Sequence, residues 1–167
     1  CYSGTITFVN STFLNNSNSA YLGGGTQLTY INSIVRDENI SNDDTNITIN
    51  VYNSNFISGD STFNIASIDD FTWGTGNTTA NPSFVDSANA NYHLSDASPL
   101  IGAGIASIAI GNVTYTAPTS DLDGNLRPNP AGTNPDIGAF ESERGIDPNY
   151  NGPVWYVDGP AGLPYGN

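Results

Sequence analysis

The chain has no lysine and no methionine, and its 167 residues carry three arginines, one histidine and one cysteine. Sixteen Asp and Glu oppose those few cations, giving a formal net charge of −13. A chain with so few cations has no basic patch to neutralise phosphates, which excludes a nucleic-acid partner. A lone Cys1 forbids an internal disulfide and a cysteine-ligated metal site. No apolar run approaches the roughly 20 residues that a membrane-crossing helix needs. Asn, Ser, Thr and Gly are abundant instead. Hydrophobic residues still make up 37%, with seven Phe, nine Tyr and two Trp, and that is enough apolar surface to argue against disorder.

The length suits one domain, or one domain plus a fragment. Both ends read as cut, with no initiator Met, no leader and no cap before the first strand-like run at Thr5; Cys1 is either an arbitrary fragment start or a lipid-modified first residue. An acidic, polar surface without lysine suits an extracellular, secreted or cell-surface protein. Glycosylation sequons fall at Asn10, Asn15, Asn39, Asn46, Asn77 and Asn112, as chance predicts in so Asn-rich a chain.

Repeats carry the architectural signal. Asn-Ser occurs at Asn10-Ser11, Asn32-Ser33 and Asn53-Ser54, spaced 22 and 21 residues apart. Before each Asn, at −4 stand Ile6, Leu28 and Ile49, and at −2 stand Phe8, Tyr30 and Val51. At +3 stand Phe13, Val35 and Phe56. Side chains alternate along a strand, so positions −4, −2 and 0 share one face. Each repeat therefore reads as a short strand with two buried apolar residues, an inward Asn, a bend and a further inward apolar residue. A period of about 20 residues without helical patterning predicts an all-β, right-handed parallel β-helix. One coil cannot bury its own apolar face, but coils stacked about 4.8 Å apart bury it together. Asn10, Asn32 and Asn53 are then expected to stack as a structural amide ladder, because a buried amide needs partners. Gly23-Gly24-Gly25 reads as a turn and the acidic stretch 39–46 as an outward loop.

From about Ser67 the pattern changes. Phe71-Thr72-Trp73-Gly74 is followed by Asn81-Pro82-Ser83-Phe84-Val85-Asp86, Asn91-Tyr92-His93-Leu94 and Ser98-Pro99-Leu100-Ile101-Gly102-Ala103-Gly104. Then come Asp121-Leu122-Asp123-Gly124-Asn125-Leu126-Arg127-Pro128 and Asp136-Ile137-Gly138-Ala139-Phe140-Glu141. In order and spacing, residues 81–141 resemble the C-terminal end of secreted bacterial right-handed parallel β-helix repeat proteins, of the kind followed by a surface-anchoring domain. The resemblance implies a solenoid end-piece, secretion and a surface location; it does not imply an enzyme, and none is expected. On this reading residues 1–144 are coils plus a C-terminal capping end-piece. Residues 145–167 are a linker and a strand, Val154-Trp155-Tyr156-Val157, which either opens a further module, folds back, or pairs with a neighbouring subunit.

Each candidate site has a plainer alternative. Asp121, Asp123 and Asn125 alternate oxygen ligands around Gly124 like the start of a calcium loop, with Asp136 or Glu141 as a further ligand. The EF-hand pattern is incomplete, since its twelfth position is Gly132. The alternative is an Asp-Gly turn with Arg127 paired to a nearby carboxylate. His93 reads as a hydrogen-bonded structural histidine, and Ser98-Pro99 lies in no nucleophile-elbow context. Some parallel β-helices cleave polysaccharides, but this chain has no Lys, Arg36 lies beside Asp37 and Glu38, and the pairs Asp43-Asp44 and Asp69-Asp70 point to opposite faces if they lie on strands. Tyr2, Tyr21, Trp73, Trp155, Tyr156 and Tyr165 are either sugar platforms or covers for coil ends. The expected function is a structural or adhesive module of a secreted surface protein or extracellular filament. It requires no cofactor beyond candidate calcium, and its partners are copies of itself or flanking modules. A polysaccharide-binding or polysaccharide-degrading β-helix is the alternative.

Overall fold

A computed structural model describes residues 4–14, 20–36, 40–42, 46–65 and 70–145. They are mostly strands and turns, with two short 3-10 turns, and the all-β expectation holds. In chain order the first strands are β1 (Gly4–Val9), β2 (Thr12–Phe13), β3 (Ala20–Tyr21), β4 (Thr26–Ile31), β5 (Ile34–Val35), β6 (Ile40–Asn42), β7 (Thr48–Tyr52), β8 (Asn55–Phe56), β9 (Phe63–Ile65) and β10 (Asp70–Trp73). They form three parallel sheets, ordered β1-β4-β7-β10, β2-β5-β8 and β3-β6-β9. Successive strands thus visit the three sheets in turn.

The repeat positions fall in register. Ile6, Leu28, Ile49 and Phe71 are Cα partners down the first sheet, as are Phe8, Tyr30, Val51 and Trp73. Phe13, Val35 and Phe56 align down the second. The fourth rung, with Phe71 and Trp73, lies beyond the three repeats counted from the Asn-Ser pairs. Its signal is weakened because the corner there has Gly76 in place of Asn, and Gly74 has Tyr52 close against it. Leu28, Tyr30, Val35, Ile47, Ile49, Val51 and Phe56 form one buried core. Rings run through it from rung to rung: Phe8 stacks on Tyr30 at 5.3 Å, Tyr30 meets Phe56 edge-on at 5.3 Å, and Phe56 meets Trp73 edge-on at 5.7 Å. At the β1 edge Ile6 remains 44% exposed.

The bend between the first and second sheets explains the Asn. Asn10, Asn32 and Asn53 sit at φ 47°, 51° and 45°, and Gly76 at 75°. That left-handed region is closed to most L-residues and is visited by Gly and Asn. The ladder continues through the bend, with Asn10 N donating to Ile31 O, Asn32 N to Tyr52 O and Asn53 N to Thr75 O at 3.0–3.2 Å. The next N–H is met by a side chain. Ser11 N donates to Ser33 Oγ (3.2 Å), Ser33 N to Ser54 Oγ (3.1 Å) and Ser54 N to Asn77 Oδ1 (2.9 Å).

The remainder is irregular. Strands β11 (Phe84–Asp86) and β12 (Asn91–Leu94) form one antiparallel pair; β13 (Ser107–Ile110) and β14 (Val113–Thr116) form another. Residues 98–142 meet the parallel strands through Asn10, Asn32 and Asn53, the bend residues of the first three rungs. Ile34 of β5, Leu100 and Ile137 form a second small core at that junction.

Candidate functional site

The richest polar chemistry lies where the C-terminal segment meets the Asn corner. Asn10 Nδ2 donates to Asp136 O at 2.9 Å. Asn32 Nδ2 donates to Asn10 Oδ1 at 3.2 Å and to Ile105 O at 2.8 Å, and its Oδ1 accepts from Ile105 N at 2.8 Å. Asn53 Nδ2 donates to Ala103 O at 3.2 Å. The expected ladder therefore has one amide–amide step, Asn32 to Asn10, and the other amide groups hold the backbone of the C-terminal segment. The fit is close. A Cβ on Gly104 would stand 2.7 Å from Pro135 O and 3.0 Å from Asn32 Oδ1, and one on Gly138, whose φ is 112°, would stand 2.7 Å from Ile34 Cδ1. Gly138 N also donates to Asn32 O, and Ala139 N to Thr12 Oγ1.

Behind this contact lie a buried guanidinium, Arg127, and three buried carboxylates, Asp121, Asp136 and Glu141. Arg127 Nε pairs with Glu141 Oε2 at 2.7 Å, both side chains almost wholly buried, and Arg127 Nη2 donates to Gly138 O. Glu141 also accepts from Asn129 N and Asp136 N. Asp136 accepts from Gly102 N and Ser142 N, each at 2.7 Å. Asp121 accepts from Asp123 N, Asn125 N, Asn125 Nδ2 and Glu141 N. Burial pushes the Asp136 carboxyl up to about 7 against the pull of the Gly102 and Ser142 N–H groups, with the Glu141 carboxylate adding to the rise and Arg127 opposing it. Burial also raises Glu141, against the Asp136 and Asn129 N–H groups and Arg127. Burial works to raise Asp121 too, but its hydrogen bonds from Glu141, Asn125 and Asp123 hold it below the usual carboxylate range.

The four candidate calcium ligands do not converge. Asp121 closes an Asp-Gly turn, Gly124 taking φ 87°. Asp123 reaches the other way, its Oδ2 2.7 Å from His93 Nε2. Asp136 is engaged by backbone donors. Among the described residues no group of three or more His, Cys, Asp or Glu is arranged to hold a metal ion. The turn and the Arg127–carboxylate pair, the plainer alternative, are what these residues form.

His93 lies between two acceptors, Asn91 Oδ1 at 2.7 Å and Asp123 Oδ2, with Phe140 against its ring at 4.2 Å. Ser98 Oγ donates to Pro82 O and accepts from Leu100 N, which fixes a turn. Trp73 is half-buried in β10. Among the sequons, Asn10 is buried, Asn77 ends the serine column, and Asn46 and Asn112 are exposed. Asp43, Asp44, Asp69, Tyr2, Asn15, Asn39, Tyr165 and the strand Val154, Trp155, Tyr156 and Val157 lie outside the described residues.

Ser11, Ser33 and Ser54 follow the three Asn directly in the sequence, so the dipeptide carries the serine column as well as the amides. Asn77 gives no such signal, because its pairing with Ser54 depends on a fourth rung whose corner is glycine. The chain matches no family model, no curated protein and no solved structure.

Proposed function

We propose that the repeats form a right-handed parallel β-helix and that the chain is a structural, adhesive module of a secreted cell-surface protein or extracellular filament. The observation that supports this most is the in-register passage of β1 to β10 through three parallel sheets, with the same Asn-Ser bend on the first three rungs. A stack of this kind grows by adding rungs. The outer edge of β1 carries backbone donors and acceptors without a strand beside them among the described residues, and Ile6 stands open there. A further coil or a second copy of the chain completes that edge by strand addition, and a head-to-tail contact of this sort propagates as a filament. The ionisable groups buried in the C-terminal segment fit the same role, because they hold backbone in place.

Light scattering and electron microscopy of the purified chain test the proposal. The expected result is concentration-dependent growth into rods that Ile6→Lys, which puts a charge on the growing edge, suppresses. A monodisperse monomer with full β content at high concentration overturns it.

A further inference from the structure

We infer that the two ends of the parallel stack are complementary to each other, so that β10 of one copy receives β1 of the next, a contact that rests on the structural role proposed above and gives it a partner surface, a register and a direction. The core is closed in the middle and open at both ends. Leu28, Tyr30, Ile49 and Val51, on the inner strands β4 and β7, are at most 2% exposed. On the first rung Ile6 is 44% exposed, and Phe8 and Phe13 are half-buried. At the far end Phe63 of β9 and Phe71 and Trp73 of β10 are half-buried too. Among the described residues no strand lies on the outer side of β1 or of β10. Each end thus leaves a group of rings partly open. Phe8 meets Phe13 at 4.8 Å at one end, and Phe71 meets Phe63 at 5.4 Å and Trp73 at 6.4 Å at the other. Contiguous apolar surface left open in this way marks an interaction site.

The columns specify what covers it. A β1 strand laid parallel to β10, in the register of the three internal pairs, sets Ile6 on Phe71, Thr7 on Thr72 and Phe8 on Trp73, at the usual strand spacing of about 4.8 Å. Both columns of the first sheet then run unbroken from one copy into the next, and both open backbone edges are paired. A two-fold contact of β1 with β1 covers one end of each copy and leaves β10 and its rings open. The contact is therefore heterologous, and each added copy presents a fresh end. Charge fits the same partner. In a chain with sixteen acidic residues, β1 has none and β10 has only Asp70, opposite Thr5 in this register. The contacting strands bring no like charges together, while the net charge of −13 on each copy opposes association until salt screens it.

Cysteine cross-linking in a Cys1→Ser background tests register and direction together. Alternation puts Thr7 and Thr72 on the face away from Ile6, Phe8, Phe71 and Trp73, and the register places them one strand apart, within the ~4.4–6.8 Å Cα separation that a disulfide spans. Mild oxidation of a Thr7→Cys chain mixed with a Thr72→Cys chain is expected to give a disulfide dimer that neither gives alone. The double variant is expected to give a ladder of longer covalent oligomers, and added salt to increase both products. In Trp155→Phe, where Trp73 is the sole indole, emission is expected to move to shorter wavelength as scattering grows. A disulfide in Thr7→Cys alone shows β1 edges meeting by a two-fold and overturns the inference while strand addition stands. Growth into rods without the mixed disulfide does the same. No association at any salt concentration, with the circular dichroism of each variant unchanged, overturns both the inference and the filament reading.

Discussion

In the repeats, the bond from a corner N–H to the carbonyl one rung on is made three times, at Asn10, Asn32 and Asn53. In residues 98–142 each important bond is made once: one Arg127–Glu141 pair, one Asp136 cradle and one Asp121 turn. The first region spreads its stability over equivalent rungs, as repeat architectures do, so no single rung is decisive. The second concentrates stability in a few buried charges. Burying a charge is favourable only when its partners are complete, and removing one partner leaves the full desolvation penalty behind. The two regions should therefore fail in different ways.

The largest difference is expected at Arg127. Arg127→Met leaves Glu141 and Asp136 buried together without their cation, and breaking such a pair costs about 3–5 kcal/mol. Urea unfolding followed by amide hydrogen exchange should show residues 98–142 losing protection while β4 and β7 keep most of theirs. Equal loss in both regions would mean that the coils depend on the C-terminal segment as much as it depends on them. Phe56→Ala is the converse. It opens a cavity among Tyr30, Phe63 and Trp73 and is expected to destabilise the coils by roughly 3–5 kcal/mol, with the C-terminal segment released as a consequence.

Acidity separates the regions next. A carboxyl raised from its unfolded value near 4 to about 7 holds more protons folded than unfolded between those limits. Its contribution is fully present below pH ~4 and is lost as pH rises through 7; at ~1.36 kcal/mol per unit this amounts to at most a few kcal/mol. Asp121, lowered, acts with the opposite sign and loses its contribution on acidification below its unfolded value. Stability of residues 98–142 should thus be greatest near pH 4–5 and fall towards pH 8. Asp136→Asn should flatten that slope in urea midpoints measured across the range. An unchanged slope would assign the effect to other groups.

The coils could be read from sequence because their signal recurs. Nine apolar positions at fixed offsets from three Asn locate β1, β4 and β7 and their common inner face, since stacked rungs repeat the same local requirement. The left-handed bend is written there too, but in Asn, whose other common uses mask it. The C-terminal junction could not be read in this way. Asn10 and Asp136 lie 126 positions apart, and nothing periodic links a corner amide to a carbonyl on a later turn. Asp121, Asp123 and Asn125 carry a ligand-like spacing, but the same spacing serves a turn in which a carboxylate accepts N–H groups two and four residues on. Spacing specifies a local loop; whether the oxygens face a metal or the backbone depends on what packs behind them, and here that is Glu141.

The smallest expected effect sharpens the comparison most, because it distinguishes one rung from the next. Ser33 Oγ accepts from Ser11 N and donates to Ile31 O at 3.0 Å, in the middle of the serine column. Ser33→Ala should cost about 1–3 kcal/mol, because it removes the acceptor of the part-buried Ser11 N–H and, in the same change, a buried hydroxyl bonded to Ile31 O. Ser11 heads the column: its hydroxyl donates to Val9 O, and its half-buried position leaves water within reach. Ser11→Ala should cost only about 0.5–1 kcal/mol, the net worth of an ordinary hydrogen bond. Thermal melts of the two variants decide the matter. If stability really is shared between rungs, an acceptor matters according to the donor it serves one rung away and not according to its own burial, so Ser33→Ala should deprotect the amide of Ser11 specifically. Equal melting points for the two variants would show instead that each serine acts through its own turn and that the column transmits nothing along the stack.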